Sequence, residues 1–185
     1  MASKNEGIKS RRYRLTEMVV TALFIALVYV FTAFINIRLP IGGNGGLIHL
    51  GNIPLFIAAI VFGKRVGCIA GGIGMGLFDL LSGGIWVIWA PFTLVIVGLM
   101  GFTVGAITEK KEHQNIVWYT VAIFAAILIK VVGYYFAEAI LYSNFIVPFA
   151  SIPGNIIQVS FAGVVTILIA KQLRIAAVKT NLIEV

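Results

Sequence analysis

Charged side chains are scarce: they make up 11% of the 185 residues, against about 25% in an ordinary soluble domain. Acidic residues number seven and histidines two. The lone cysteine, Cys68, sits inside an apolar stretch. A single cysteine cannot form an internal disulfide, so a disulfide-stapled secreted domain is excluded and the thiol reads as a small packed hydrophobe. His49 and His113 lie far apart with no Cys/His cluster near either, which argues against a metal site. No G-x-x-x-x-G-K-[ST] phosphate loop occurs, so ATP hydrolysis by the P-loop route is ruled out. Neither G-x-S-x-G, H-E-x-x-H nor a paired aspartate motif for metal-assisted chemistry is present, and a catalytic reading has little to stand on.

What fills the chain instead is apolar. Sixty per cent of the residues are hydrophobic and the mean hydropathy is +1.03. That is more than one soluble core of this size can hide, so a soluble enzyme and a disordered chain are excluded as well. An all-α membrane protein remains, forming a single integral domain over 1–185. The apolar segments predict six transmembrane helices at about 15–37, 48–62, 66–81, 86–108, 116–142 and 152–170. The first exceeds the roughly 20 residues a membrane helix needs and lacks the shorter apolar core and cleavage site of a signal peptide. The second and third are short. Folding them as a re-entrant hairpin would bury Lys64 and Arg65, at about 2.5–3.5 kcal/mol each, so two short crossings are favoured.

The net charge of +7 would suggest nucleic acid in a soluble protein. Position gives another answer. With a cytoplasmic N-terminus, 12 of the 14 Lys/Arg fall in inner segments, Arg38 alone falls in an outer loop, and Lys130 lies inside the fifth helix. This asymmetry predicts that both termini are cytoplasmic and removes the need for a nucleic-acid partner.

Several features admit two readings. The glycine run from Gly71 to Gly76 superficially matches a dinucleotide loop, but it lies within a membrane helix, where small-xxx-small spacing favours close packing. Ala22 and Ala26, one turn apart on the first helix, suit packing within the chain or docking of another subunit. Asp79, Lys130 and Glu138 are intramembrane ionisable groups. Lys130, Tyr134 and Glu138 share a helix face, as a structural ion pair or as contacts to a bound solute. Trp86 and Trp89 belong to an interfacial aromatic belt or to a stacking wall for a planar solute. Asn155 and Gln158 share a face at the start of the sixth helix, for interhelical or ligand hydrogen bonds. The glycine-rich outer loop with Gly42, Gly43, Asn44, Gly45, Gly46 and His49 is either a lid or a loose connector, and His49 an interface residue.

Two stretches carry a family resemblance. The first runs through Ile48-His49-Leu50-Gly51-Asn52-Ile53-Pro54, Phe62-Gly63-Lys64-Arg65-Val66-Gly67, Ala70-Gly71-Gly72-Ile73-Gly74 and Asp79-Leu80-Leu81-Ser82-Gly83. The second joins Trp89-Ala90-Pro91-Phe92-Thr93 to Gly98-Leu99-Met100-Gly101. Their order and spacing resemble the substrate-binding S component of energy-coupling factor (ECF) vitamin transporters, within the riboflavin and hydroxymethylpyrimidine group. The resemblance implies a membrane protein that captures a vitamin from outside, with no cofactor of its own. It implies partners: a transmembrane coupling subunit docked on Ala22 and Ala26, and two ATPase subunits that use ATP and Mg. It also places the ligand in the outer half of the bundle. Asn52 stands where many relatives carry Asp, which makes it a candidate ligand contact. With few outer basic groups and with aromatics and amides available, the expected ligand is hydroxymethylpyrimidine or a vitamin B6 form, then riboflavin, then pantothenate.

Overall fold

The computed structural model describes residues 2–39, 46–110, 112, 114–180 and 182–183. Six helices appear in order: α1 (Ala2–Phe34), α2 (Asn52–Phe62), α3 (Lys64–Ser82), α4 (Ala90–Thr108), α5 (Ile116–Tyr142) and α6 (Ile152–Lys179). Between α1 and α2 the chain forms an antiparallel pair, β1 (Asn36–Leu39) and β2 (Gly46–His49), in register from Asn36 opposite His49 to Leu39 opposite Gly46. Short 3-10 segments, Gly84–Trp89 and Val147–Ser151, lead into α4 and α6.

The helical expectation holds, and five segments are long and apolar enough to cross a bilayer. α2 is not one of these. At 11 residues it rises about 16 Å, roughly half the hydrocarbon thickness. The predicted boundaries need four corrections. The first helix stops at Phe34 rather than 37, because Asn36 turns its amide back onto the Thr32 and Ala33 carbonyls and the chain then enters the hairpin. Residues 48 and 49 are strand, so the second helix begins at Asn52. Gly84–Trp89 is 3-10 rather than the start of the fourth helix. α4 starts at Ala90, with Pro91 in the first turn, where its missing N–H costs nothing. The sixth helix also runs on to Lys179 instead of ending at 170.

α2 is the centre of the bundle. Leu55, Phe56, Ala58, Ala59 and Ile60 are fully buried within it, and α1, α3, α4 and α6 all pack against it. α3 achieves equally close contact through its glycines. A Cβ on Gly67 would lie 2.6 Å from Ala59 Cβ, and one on Gly72 would lie 2.8 Å from the Leu94 carbonyl. A Cβ on Gly101 of α4 would collide with the Gly67 carbonyl. Cys68 packs at this α3/α4 seam, within van der Waals reach of Gly98. The glycine run is therefore a packing device, as small residues are between membrane helices.

The ends of the bundle differ in character. At one end Lys64 Nζ pairs with Glu109 Oε2 at 2.9 Å, and Arg174 donates to the Ile60 carbonyl at the end of α2. The hairpin and both 3-10 segments lie at the other end.

The α3/α4 seam makes a test. Gly101→Ala sets a methyl against backbone, which cannot yield, and overpacking of this kind costs about 1–3 kcal/mol. Gly83 has open space around it and only a positive φ of 67° to strain. Thermal unfolding in detergent is expected to show a larger loss for Gly101→Ala than for Gly83→Ala; the reverse order would contradict the seam.

Candidate ligand-binding cavity

A cavity of about 110 Å3 opens at the hairpin end of the bundle. One ordered water needs roughly 10–15 Å3, so the space suits a small organic molecule. Every helix except α2 contributes to the lining, together with β2 and both 3-10 segments: Thr32 from α1, Leu47, Ile48 and His49 from β2, Met75, Phe78 and Asp79 from α3, and Thr93 from α4. Trp86 and Trp89 come from the first 3-10 segment, and Val147 and Ser151 from the second. α5 supplies Lys130, Tyr134, Glu138 and Tyr142, and α6 supplies Gly154, Asn155 and Gln158.

Aromatic rings form one wall. Trp89 is buried and packs on Tyr134 with centroids 6.3 Å apart, and edge-on against Tyr142 at 6.1 Å. The Tyr134 hydroxyl donates to Thr93 Oγ1 at 3.2 Å, which fixes the ring. Trp86 is half-buried beside them. A planar ligand stacked here would gain both apolar burial and ring–ring contact.

Charged groups are interleaved with these rings on α5 and joined by Asp79 from α3. Lys130 is 2% exposed and Asp79 is 6% exposed. The Lys130 ammonium sits 5.4 Å from the Tyr134 ring centroid, and Asp79 Oδ2 has no hydrogen-bond partner among the described residues. Glu138 Oε2 accepts from Ser151 Oγ at 2.9 Å. The i, i+4 stripe on α5 is thus not a Lys130–Glu138 ion pair: among the described residues the ion pair is Lys64–Glu109. Three buried charges around one cavity, none paired with another, mark a place for an external solute.

β2 closes the cavity floor. Gln158 Nε2 donates to the His49 carbonyl at 3.0 Å, tying the strand to α6. His49 is 8% exposed; its Nδ1 accepts from Gly51 N–H at 3.2 Å, so the neutral ring carries its proton on Nε2. Burial, and secondarily the Lys130 ammonium, hold this imidazole well below the ordinary histidine range.

Eight of the nine predicted ligand contacts therefore converge: Asp79, Trp86, Trp89, Lys130, Tyr134, Glu138, Asn155 and Gln158. Asn52 does not. It is fully buried in the first turn of α2 and lines no part of the cavity, since that helix points its whole circumference into the protein core. His49 is corrected from an interface residue to a buried cavity residue. Of the lid residues, Gly46 starts β2, while Gly42, Gly43, Asn44 and Gly45 lie outside the described residues. Tyr142 was missed, although it continues the 130, 134, 138 spacing by one further turn. Ser151 carried no periodic signal at all.

A membrane-embedded bundle with one buried aromatic and charged cavity describes a solute-binding component. The chain belongs to the ECF-type riboflavin transporter S component family, whose model matches residues 12–175. It is thus an integral membrane subunit that binds substrate for vitamin uptake, and not an enzyme. Two relatives are similar over part of their length. A Pyrococcus woesei protein described as an uncharacterized protein in gap 3'region is 31% identical over 106 residues, covering 57% of this chain and 68% of its own. The thiamine precursor transporter HmpT of Lactococcus lactis subsp. cremoris (strain MG1363) is 27% identical over 126 residues, covering 68% of this chain and 69% of its own.

The neutral imidazole has a measurable consequence. A histidine whose pKa is lower folded than unfolded stabilises fully above the unfolded value, and that contribution is lost as pH falls below it. The unfolding temperature is expected to drop as pH falls from about 6.5, and less steeply in His49→Gln; equal slopes would place His49 in water.

Proposed function

We propose that the cavity binds hydroxymethylpyrimidine or a vitamin B6 form, delivered from outside the cell to an ATP-driven importer. The observation that carries this reading is the lining itself, in which Trp89, Tyr134 and Tyr142 share one cavity with two carboxylates and one ammonium. With His49 neutral, negative groups outnumber positive ones, which disfavours ligands held by a carboxylate, such as folate or pantothenate. A small ring with amino or hydroxyl donors uses both the stacking surface and the surplus acceptors. The similarity to a thiamine precursor transporter supports the same choice. Riboflavin is the second reading, favoured by the family model that matches the chain.

The partners in this proposal are a transmembrane coupling subunit and two ATPase subunits, which use ATP and Mg. The chain itself carries no cofactor. Ala22 and Ala26 are both exposed on α1, one turn apart, on a face that also exposes Leu15, Met18, Val19 and Leu23. Small residues on an apolar helix face admit close approach of a second helix within lipid, so this face is the docking surface for the coupling subunit. The basic end of the bundle, with Lys64, Arg65, Arg174 and Lys179, is cytoplasmic, as the positive-inside bias requires. Both termini lie on that side and the cavity opens outward.

Equilibrium titration of the purified protein with hydroxymethylpyrimidine, pyridoxine, riboflavin, pantothenate and folate tests the ligand. One of the first two is expected to bind tightest; tight binding of folate alone would overturn the reading. Replacing Ala22 and Ala26 together by Leu is expected to abolish uptake in cells carrying the partner subunits while leaving ligand affinity within about twofold. Normal uptake by that variant would remove the docking assignment.

A further inference from the structure

Asp79 and Lys130 differ from Glu138 in that no ion pair or hydrogen bond among the described residues engages Asp79 Oδ2 or the Lys130 ammonium. Gln158 is spent on the His49 carbonyl, Glu138 on Ser151, and the Tyr134 hydroxyl on Thr93. Asp79 Oδ2 accepts nothing among the described residues, although the side chain is 94% buried and Thr93 lies against the carboxylate. Lys130 is 98% buried and touches the face of Tyr134, which satisfies charge but accepts none of its hydrogen bonds in line. The two groups come from different helices, α3 and α5, line the same cavity, and sense each other electrostatically without closing into an ion pair. A buried donor and a buried acceptor held apart in this way are each costly to leave unmade. A single ligand edge inserted between them would satisfy both.

We propose that Asp79 and Lys130 are the specificity-determining pair of this cavity, reading a donor–acceptor edge on the bound ring: Asp79 accepts from a ring amino group and Lys130 donates to the adjacent ring nitrogen. This rests on the vitamin-binding reading above and narrows it to an uncharged amidine-type edge, as in a 4-aminopyrimidine. An acceptor-only carboxylate rejects a carbonyl placed against it, and a donor-only ammonium rejects an N–H. The inverted edge of a 4-oxopyrimidine, with its C=O toward Asp79 and its N–H toward Lys130, therefore leaves two buried groups mispaired. Sites built around a hydrogen-bonding edge discriminate strongly against the analogue that fails to match it.

The two pyrimidines form a matched pair of nearly equal size: 4-amino-5-hydroxymethyl-2-methylpyrimidine and its 4-oxo counterpart. Calorimetric titration of the purified wild-type protein is expected to show the amino compound binding at least about 100-fold tighter. Asp79→Asn, whose amide both donates and accepts, is expected to shrink that ratio at least about tenfold, and Lys130→Met to shrink it likewise. Gel-filtration profile and unfolding temperature establish that each variant is folded; if a variant is not, the wild-type ratio alone decides. Equal binding of the two pyrimidines to wild type would overturn the edge reading. Binding of pyridoxine or riboflavin without either pyrimidine would overturn it too while leaving the vitamin-binding function standing. Failure of every compound in the vitamin panel would instead remove the functional reading on which the pair depends.

Discussion

The close approach of α3 to its neighbours is the constraint on which the rest of the molecule depends. Between helices in lipid there is no hydrophobic drive toward association, so packing has to come from surfaces that fit. α3 fits by having almost no side chains on its packed faces. Gly67 and Gly71 let α2 and α4 in, Gly72 meets the α4 backbone, and Gly74 receives Val28 of α1. Toward the C-terminal end of this helix the pattern changes. Met75, Phe78 and Asp79 replace glycine on the inner face, and all three line the cavity. The same helix is thus a dry seam at one end and a cavity wall at the other. The switch lies in its sequence: small residues bring backbones together, and bulkier ones with a buried charge hold them apart.

Scarcity of charge then does the sorting. A chain with this little charge keeps it where it is hydrated, paired or used. Lys64 and Glu109 pair at the basic end, and Arg174 is held there by the Ile60 carbonyl. Asp79, Lys130 and Glu138 form no ion pair with one another inside the bundle, and all three line one cavity. Intramembrane charge is expensive on any scale, so three such groups converging without mutual pairing is a stronger indication of a binding site than the cavity's shape.

Much of this was legible in the sequence because period and polarity are visible there. The α5 stripe at 130, 134 and 138 and the pair at 155 and 158 fix helix faces, and those faces met. What helical period cannot show is which face of a helix turns inward when every face is apolar. Asn52 was misplaced for that reason: α2 is buried all round, so a polar residue on it need not look toward solvent or ligand. The hairpin was hidden by its brevity. Four-residue strands beside a long apolar helix read as its continuation, and the Asn36 amide that ends α1 acts through contacts visible only once the chain turns back. His49 was undervalued because the strand that carries it is tied down by Gln158, 109 residues away, through the His49 carbonyl.

α2, at 11 residues the shortest of the six helices, is suited to a different task from its neighbours. His49, three residues before it, lines the cavity, and the helix's Ile60 carbonyl is held by Arg174 at the basic end. In between, nine of its residues are buried against other helices. A helix so enclosed moves as a rigid body, because close-packed interiors transmit displacement rather than absorb it. It carries no cavity side chain, yet it fixes the distance between the strand that closes the site and the charged end of the bundle. Substitutions on α2 therefore act on the geometry of the cavity from outside its lining, which distinguishes them from changes at Asp79 or Lys130, whose side chains line it.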